Sequence, residues 1–185
     1  HRGTVGIINL GRQADTDGLE FATLGATCSW SNETFVEYNN KFGGLFDGAN
    51  ECIKKGFRYY LVTMKDGVQF DVYVTHMNSG SDTGHINARA SQFQQLANYI
   101  NDHRSGRPII IMGDFNVAPD HDGIKPILER LKSCAAEMNN DEFTFASYAP
   151  KVHIDYICVP KDTKVLDYTV HKLRASDHMP ISADI

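Results

Sequence analysis

The sequence has no long apolar run and no closely spaced pair of cysteines. Its longest apolar stretches, such as Pro108 to Met112, fall far short of the roughly 20 residues of a membrane-spanning helix, so no transmembrane segment is predicted. The four cysteines, Cys28, Cys52, Cys134 and Cys158, include no Cys-x-x-Cys pair, which excludes zinc-ribbon and thioredoxin-like sites. A Cys28–Cys52 disulfide would restrain the chain between them, but free thiols are the simpler interpretation.

An excess of basic charge is also absent. The 185 residues carry 18 Lys and Arg against 23 Asp and Glu, a formal net charge of −5. This balance disfavours a basic coat for extended nucleic acid, but it is compatible with a phosphate substrate bridged by a metal ion. Hydrophobic residues make up 42% and charged residues 22% of the chain, which is ordinary globular usage. The length favours one domain.

The sequence lacks an initiator methionine and a leader with a charged and an apolar region. We therefore expect the chain to be cut from a longer protein. Asn32-Glu33-Thr34 is a glycosylation sequon, which carries information only for a protein secreted from a eukaryote. The compartment stays open, with a secreted location favoured, and the oligomeric state stays open, with a monomer favoured.

Periodicity in the first half predicts short strands around a long loop. Thr4 to Leu10 and Phe21 to Thr27 are predicted strands. Cys28 to Gly56 loses periodicity and is predicted to be a long loop, a kind of segment that is often functional. Phe57 to Met64 and Val68 to His76 flank an Asp-Gly pair, which predicts a hairpin.

The second half predicts helices alternating with strands. A helix is expected around Asn87 because apolar residues follow at helical spacing, and Ile124 to Met138 is predicted to be a second amphipathic helix. Further strands are predicted at 109–112, 143–145, 153–159, 165–171 and 180–185. Strands outnumber helices, and hairpins mix with strand–helix–strand passages. The predicted fold is therefore α/β, a two-sheet β-sandwich of mostly antiparallel or mixed strands flanked by helices.

Polar residues follow the apolar strand at 109–112. Asp114 and Asn116 come after Gly113, and alternation places their side chains on the same side. A carboxylate beside an amide is able to hold a metal ion or a proton and to donate a hydrogen bond to a phosphate. The alternative is that Asp114 only satisfies backbone N–H groups in a turn.

Two further strands carry a carboxylate or an imidazole. Asp155 lies inside an apolar strand, where a buried charge requires a partner. His178 and the neighbouring Asp177 precede the last predicted strand, and an imidazole oriented by Asp155 would be able to take a proton from water. His76 ends a hydrophobic strand, and taken singly it is interpreted as a core or rim histidine. Surface or structural roles remain the alternatives for all four.

These segments together resemble a known family. Gly113-Asp114-Phe115-Asn116, Ile154-Asp155-Tyr156-Ile157 and Ser176-Asp177-His178, in that order, are similar to motifs of the endonuclease/exonuclease/phosphatase superfamily. Thr75-His76 before a helix with Arg89 and Gln92 also matches, so the resemblance covers about residue 57 to the end. It is closest to secreted sphingomyelinase-like members, and it implies a four-layer α/β sandwich.

The resemblance also implies roles for the site residues. His178, oriented by Asp155, would be the general base that activates water for attack on phosphorus. Asp114 would position the nucleophile or protonate the leaving group, and Asn116 and His76 would bind the phosphoryl oxygens. Asp177 and Asp114 would contribute to a site for Mg²⁺ or for another divalent cation such as Mn²⁺ or Ca²⁺.

One expected segment of the family is missing. Members begin with a strand, a helix and a strand that carry an Asn and a metal-ligating Glu, and nothing equivalent precedes Gly3 to Leu10 here. We expect residues 1–185 to be one such domain without that first segment, incomplete at its N-terminus. The isolated chain should then bind metal poorly and show little activity.

The predicted function is a metal-dependent phosphoesterase that hydrolyses phosphodiester bonds. Its partner would be a phosphodiester, either a phospholipid head group or nucleic acid. A sphingomyelinase-like phosphodiesterase is favoured over a DNase-like endonuclease or exonuclease. A degenerate binding module without catalysis stays open, since the expected glutamate is absent.

Overall fold

The structure is a computed structural model, and it describes residues 4–9, 19–20, 28–43, 54–173 and 176–185. The strands in this part of the chain are β1 (Thr4–Asn9), β2 (Leu19–Glu20), β3 (Cys28–Glu37), β4 (Gly56–Met64), β5 (Gln69–His76), β6 (Ile109–Asp114), β7 (Leu131–Ser133), β8 (Asp155–Pro160), β9 (Asp167–Val170) and β10 (Ile181–Asp184). The helices are α1 (Thr83–Asp102), α2 (Lys125–Leu128) and α3 (Cys134–Glu137), with a 3₁₀ turn at Asp122–Ile124.

The strands form two sheets. The larger sheet has the order β3-β4-β5-β6-β8-β7, and the smaller has the order β2-β1-β10-β9. Neighbouring strands are antiparallel except β5 and β6, which run parallel. A parallel pair needs a crossover connection, and the 20-residue α1 supplies it.

Two apolar cores cover the two faces of the larger sheet. Alternation along β5 sends Val72 and Val74 to one face and Tyr73 to the other. The first face packs against the smaller sheet, and the second packs against α1 and α2. The core between the sheets contains Tyr60, Val62, Val72, Val74, Ile110, Met112, Ile157, Val159, Tyr168, Val170, Ile181 and Ala183. The core beneath the helices contains Phe57, Tyr73, Phe93, Leu96, Ala97, Ile100, Ile111, Ile127 and Tyr156.

This architecture confirms the predicted fold class, a two-sheet α/β sandwich. The described residues provide a helix layer and both sheets. The hairpin of β4 and β5 and the strands β6, β8, β9 and β10 lie where periodicity placed them, within one or two residues at most ends. The predicted strand at Phe21 to Thr27 lies outside the described residues. No helix in the described part of the chain is long and apolar enough to cross a membrane.

The predicted loop from Cys28 to Gly56 is wrong over its first ten residues, which form β3. This strand pairs with β4 at the edge of the larger sheet, and its register shifts between Ser31 and Thr34. The shift interrupts the alternation that would have revealed a strand. Cys28 is a free thiol, whereas Cys52 lies outside the described residues.

The predicted helix over Ile124 to Met138 is also wrong. The segment consists of the 3₁₀ turn, α2, β7 and α3, with β7 paired to β8 at the sheet edge. The apolar spacing is helical, but backbone pairing of Leu131 to Ser133 with Cys158 to Pro160 outweighs helix propensity. The predicted strand near Phe143 is reduced to isolated bridges of Phe145 with Val152 and His178.

Candidate active site

Three polar residues lie side by side across the larger sheet. His76 ends β5 opposite Asp114 of β6, and Asp114 lies opposite Asp155, the first residue of β8. Since paired residues point to the same face, the three side chains form a row at one edge of the core between the sheets. Both carboxylates are 2% exposed, so this row places two neighbouring acidic groups out of water.

Gly113 brings β6 close to β5 just before this row. Its φ is +148°, and a Cβ there would lie 1.8 Å from the backbone oxygen of Thr75. Only glycine permits this approach, because any side chain would collide with the neighbouring strand. The sequence Gly113-Asp114 therefore fixes the position at which the carboxylate of Asp114 leaves the sheet.

Asn116 completes a tight turn around Asp114. Its φ of +53° lies in the left-handed region, and its N–H donates to Asp114 Oδ1 over 2.9 Å. Its side chain Nδ2 donates to the backbone oxygen of Met77 over 3.0 Å. Asp114 therefore stabilises the turn by accepting a hydrogen bond at Oδ1. Its other oxygen, Oδ2, faces the imidazoles of His76 and His178.

His178 reaches the row from the segment that precedes β10. Its backbone forms a bridge with Phe145, and its ring packs against the Phe145 ring with centroids 4.8 Å apart. Its Nδ1 lies 2.8 Å from Asp155 Oδ2, and its Nε2 lies 3.7 Å from Asp114 Oδ2. A carboxylate only accepts hydrogen bonds, so Nδ1 carries the proton and the lone pair of Nε2 is directed away from Asp155.

Thr144 anchors the segment that carries Asp155. Its Oγ1 lies 3.2 Å from the backbone nitrogen of Ile154 and 3.3 Å from that of Asp155, and it accepts from both. Its backbone oxygen accepts from the N–H of Met179 over 2.8 Å. One fully buried residue thus joins the strand of Asp155, through its side chain, to the segment of His178, through its backbone.

The electrostatics of the row favour a proton or a cation beside Asp114. Burial and the neighbouring charge of Asp155 raise the pKa of Asp114 to about 7, against the opposing effects of His178, Lys55 and the Asn116 N–H. For His178, burial favours the neutral ring, but the hydrogen bond and charge of Asp155 outweigh it. The pKa of His178 is raised as a result, with further contributions from Asp114 and Asp177.

Lys55 is a member of the site that the sequence analysis missed. It is 2% exposed, and its Nζ lies 2.6 Å from His76 Nε2. An ammonium only donates, so Nε2 accepts this bond, and Asp114 Oδ2, 3.3 Å from the same nitrogen, faces the positive charge of Lys55. The sequence feature that could have identified Lys55 is its position directly before Gly56, the first residue of β4.

Arg89 and Gln92 shape the loop that follows His76. Arg89 Nη1 donates to the backbone oxygens of Asn78 and Gly80 over 2.8 and 2.7 Å. Gln92 accepts from the N–H of Asn78 and donates to the backbone oxygen of Asn40. These residues tie α1 to the backbone of neighbouring segments.

Asp177 lies at the margin of the site. It is exposed, its side chain accepts from the hydroxyl of Ser176, and its backbone oxygen accepts from the N–H of Ser147. The structure therefore brings His76, Asp114, Asp155 and His178 together, with Asn116 beside them, and it places Asp177 next to His178 but outside the buried group.

A comparison with protein families identifies the type of domain. Residues 16–178 match the Endonuclease/Exonuclease/phosphatase family. The chain belongs to this family. A sphingomyelinase of Mycobacterium tuberculosis (strain ATCC 25618 / H37Rv) is 35% identical over 69 residues, which are 37% of this chain and 13% of that protein. The match thus spans a small part of the length of that relative.

Solved structures of the family share the architecture. A family protein from Bacteroides thetaiotaomicron superposes with a TM-score of 0.70 at 17% identity, covering 99% of this chain and 74% of that chain. Sphingomyelinase C from Streptomyces griseocarneus superposes with a TM-score of 0.62 at 18% identity, covering 84% of this chain and 64% of that chain. Identities this low show the fold alone.

The donor set of the site fits a divalent cation. Asp114, Asp155 and His178 each offer a ligand atom, and these atoms lie within 4.8 Å of one another. Oxygen donors suit Mg²⁺ and Ca²⁺, and two buried neighbouring carboxylates need positive charge to be stable. Since Asp155 Oδ2 is already bonded to His178, Asp114 Oδ2 is the oxygen best placed to bind a cation.

Proposed function

We propose that this chain hydrolyses phosphodiester bonds in a metal-dependent reaction, with water activated by His178. The observation that carries the proposal is the 2.8 Å bond between Asp155 Oδ2 and His178 Nδ1 at the buried end of the sheet, with Asp114 beside it. An imidazole whose Nδ1 proton is held by a carboxylate presents a basic Nε2, which is the arrangement of a general base.

Each residue of the row has a distinct task in this proposal. His178 Nε2 takes a proton from water as the water attacks phosphorus, and Asp155 stabilises the imidazolium that forms. Asp114, with a pKa near neutrality, is able to orient the water or to protonate the leaving oxygen. Asn116 Nδ2 and the Nδ1–H of His76 are the proposed donors to the phosphoryl oxygens, and Lys55 adds positive charge.

The bound cation would be held by Asp114, with Asp177 at the margin of the site, and we propose Mg²⁺ over Mn²⁺ and Ca²⁺. It would supply Lewis-acid polarisation of the phosphoryl group. The residues of this chain perform the proton transfers and the positioning. We predict weak binding, because Mg²⁺ sites with few carboxylate ligands bind weakly.

A lipid head group is the proposed substrate class. The 35% identity to a sphingomyelinase over 69 residues supports it, and so does the net charge of −5, which disfavours polyanionic DNA. Sphingomyelin presents a single phosphodiester with a positively charged choline. We accordingly place sphingomyelin ahead of nucleic acid.

Hydrolysis assays test the proposed reaction. Release of product from sphingomyelin, bis(p-nitrophenyl) phosphate and plasmid DNA is measured with Mg²⁺ and with EDTA. The chain is tested alone and, where its gene encodes a preceding segment, with that segment attached. We expect EDTA-sensitive turnover that is highest on sphingomyelin. Preferential cleavage of DNA would replace the lipid assignment, and inactivity of folded protein in both forms would indicate a binding module.

Substitution of His178 tests its proposed role as the general base. We predict that His178→Ala lowers kcat by at least about 10²-fold, the usual contribution of a general base. Asp155→Asn should also lower kcat, because an amide is able to donate to Nδ1 and stabilise the wrong tautomer. His103→Ala removes an exposed imidazole directly after α1 and serves as the matched control. Turnover of His178→Ala close to that of His103→Ala would remove His178 from the mechanism.

A further inference from the structure

A cavity lies at the opposite end of the strands of the larger sheet from the candidate active site. It has a volume of about 530 Å³, within the usual range for small-molecule sites. It is lined at the start of β6 by Ile109, whereas Asp114 ends the same strand in the catalytic row. Six extended residues separate the two ends by roughly 16 Å, so the cavity is distinct from the active site.

The floor of this cavity is apolar. Ile100 from α1, Ile111 from β6, Ile127 from α2 and Leu131 from β7 line it, and all four belong to the core beneath the helices. The cavity therefore opens directly onto hydrophobic side chains from both the sheet and the helix layer. Such a surface favours the apolar body of a ligand over water.

The rim of the cavity is basic, in a chain whose overall charge is negative. Arg104 follows α1 and Arg130 follows α2, both are exposed, and neither forms an ion pair within the described residues. Arg107 also lines the rim, but its Nε is bonded to the buried Asp71 over 2.8 Å. Asp162 is the acidic residue of the lining, so one positive charge remains uncompensated.

We propose that this cavity binds an amphiphile with one anionic head group, its apolar body on the isoleucine floor and its head between Arg104 and Arg130. A guanidinium binds a carboxylate or a phosphate oxygen pair through parallel N–H bonds, which suits it to this head group. The net charge of the lining matches a single negative charge. This site is independent of the proposed hydrolysis.

Calorimetric titration with decanoate, below its micelle concentration, tests the proposal. We expect decanoate to bind at least about tenfold more tightly than hexanoate, because each buried methylene adds affinity. Decyltrimethylammonium has the same chain with the opposite charge and should bind at least about tenfold more weakly. Equal binding of the two ten-carbon probes, or no dependence on chain length, would overturn the proposal.

Variants locate the binding within the molecule. The double variant Arg104→Gln, Arg130→Gln should raise the Kd of decanoate by about tenfold or more, since two charge-assisted contacts are lost. Lys65→Gln removes an exposed charge on the hairpin turn and should leave the Kd unchanged, as should His178→Ala in the active site. An unchanged Kd in the arginine double variant, or loss of binding in a folded His178→Ala protein, would overturn the assignment.

Discussion

Lys55 shows how a single residue changes the electrostatics of the row formed by His76, Asp114 and Asp155. It is buried beside His76, and its positive charge lowers the pKa of Asp114. Its neighbour Lys54 is exposed and makes no contact with the row. Two adjacent lysines thus have different environments because the chain just before β4 turns the side chain of Lys55 inward. The sequence alone does not indicate which of the two lysines is buried.

We predict that Lys55→Met moves the acidic limb of the pH–kcat profile to higher pH. Loss of the Lys55 ammonium raises the pKa of Asp114 further, so a higher pH is needed to ionise this carboxyl, and the ionised form is the one proposed to hold the metal ion and orient the water. Methionine keeps the apolar stem, so the fold should persist. Profiles of Lys55→Met and Lys54→Met measured side by side check this expectation. Identical shifts in both variants would show a general charge effect rather than one at the site.

Tyr168 gives a residue-scale test of the core between the sheets. It is 4% exposed, and its hydroxyl has no hydrogen-bond partner among the described residues. A buried unpaired hydroxyl is costly, so Tyr168→Phe should raise the free energy of unfolding by about 1 kcal/mol. Urea denaturation measures the difference.

Tyr156 is the matched control for that substitution. Its hydroxyl donates to the backbone oxygen of Val117 over 2.8 Å, and it is buried to a similar extent. Tyr156→Phe should therefore lower the free energy of unfolding by about 1 kcal/mol. If both variants lose stability equally, the hydroxyl of Tyr168 has a partner, such as a buried water.

At the scale of elements, the meeting of β5 and β6 determines where the site lies. The parallel register aligns Thr75 with Gly113 and His76 with Asp114. We predict that Gly113→Ala costs at least about 3 kcal/mol of stability or prevents folding, because the added Cβ would collide with Thr75 and would force the two strands apart. Circular dichroism and urea denaturation would show the loss.

Gly67 provides the comparison for Gly113. It has φ +86° in the hairpin turn, and a Cβ there would meet nothing within 4 Å. Gly67→Ala should cost only the backbone strain, about 1 kcal/mol. A similar small loss for Gly113→Ala would mean that β5 and β6 separate easily and that their close approach does not hold the site.

The elements that the sequence predicted correctly are those with an uninterrupted period. β5 alternates cleanly and α1 keeps its helical spacing over 20 residues, so both were predictable. β3 was not, because its register shift breaks the alternation, and β7 was not, because three residues at a sheet edge carry too little pattern. Whether such segments form strands depends on pairing with strands that are distant in sequence, and the local sequence does not contain that information.

The candidate active site was predictable for a related reason. Asp114, Asp155 and His178 each adjoin an apolar strand, where a polar residue requires an explanation. Their order resembles a family. The sheet register places Asp114 beside Asp155, and the segment before β10 brings His178 to them. Lys55, Thr144 and the orphaned hydroxyl of Tyr168 depend on packing between segments far apart in the chain, so no local pattern marks them.

At the scale of the whole molecule, the charge of the buried carboxylates makes the stability of the fold depend on pH. Asp114 and Asp155 are neighbours across the sheet, both almost fully buried, and the pKa of Asp114 is raised to about 7. The pKa of this carboxyl is higher in the folded state than in the unfolded state. Its contribution to the free energy of unfolding therefore decreases as pH rises from about 4 through 7. At pH 8 the metal-free protein therefore carries two neighbouring buried carboxylates whose negative charge Lys55 offsets only in part.

Divalent cations should relieve this charge and stabilise the fold. We predict that Mg²⁺ raises the thermal unfolding midpoint of the protein at pH 8, with saturation in roughly the millimolar range expected of a site with few ligands. At a concentration 100 times its Kd, a cation that binds only the folded state adds about 2.7 kcal/mol. Thermal unfolding followed by circular dichroism, with Mg²⁺ and with EDTA, measures the shift.

Asp114→Asn should remove that response while raising stability in EDTA. An amide keeps an oxygen for the N–H of Asn116 but carries no charge to repel Asp155. Asp102→Asn, at the exposed end of α1, should respond to Mg²⁺ as the unsubstituted protein does. If Mg²⁺ shifts the thermal unfolding midpoint of Asp114→Asn as much as that of the unsubstituted protein, the cation binds elsewhere on the molecule. A cation bound beside Asp114 would lose its best placed oxygen ligand in this variant, so its effect on the midpoint would decrease.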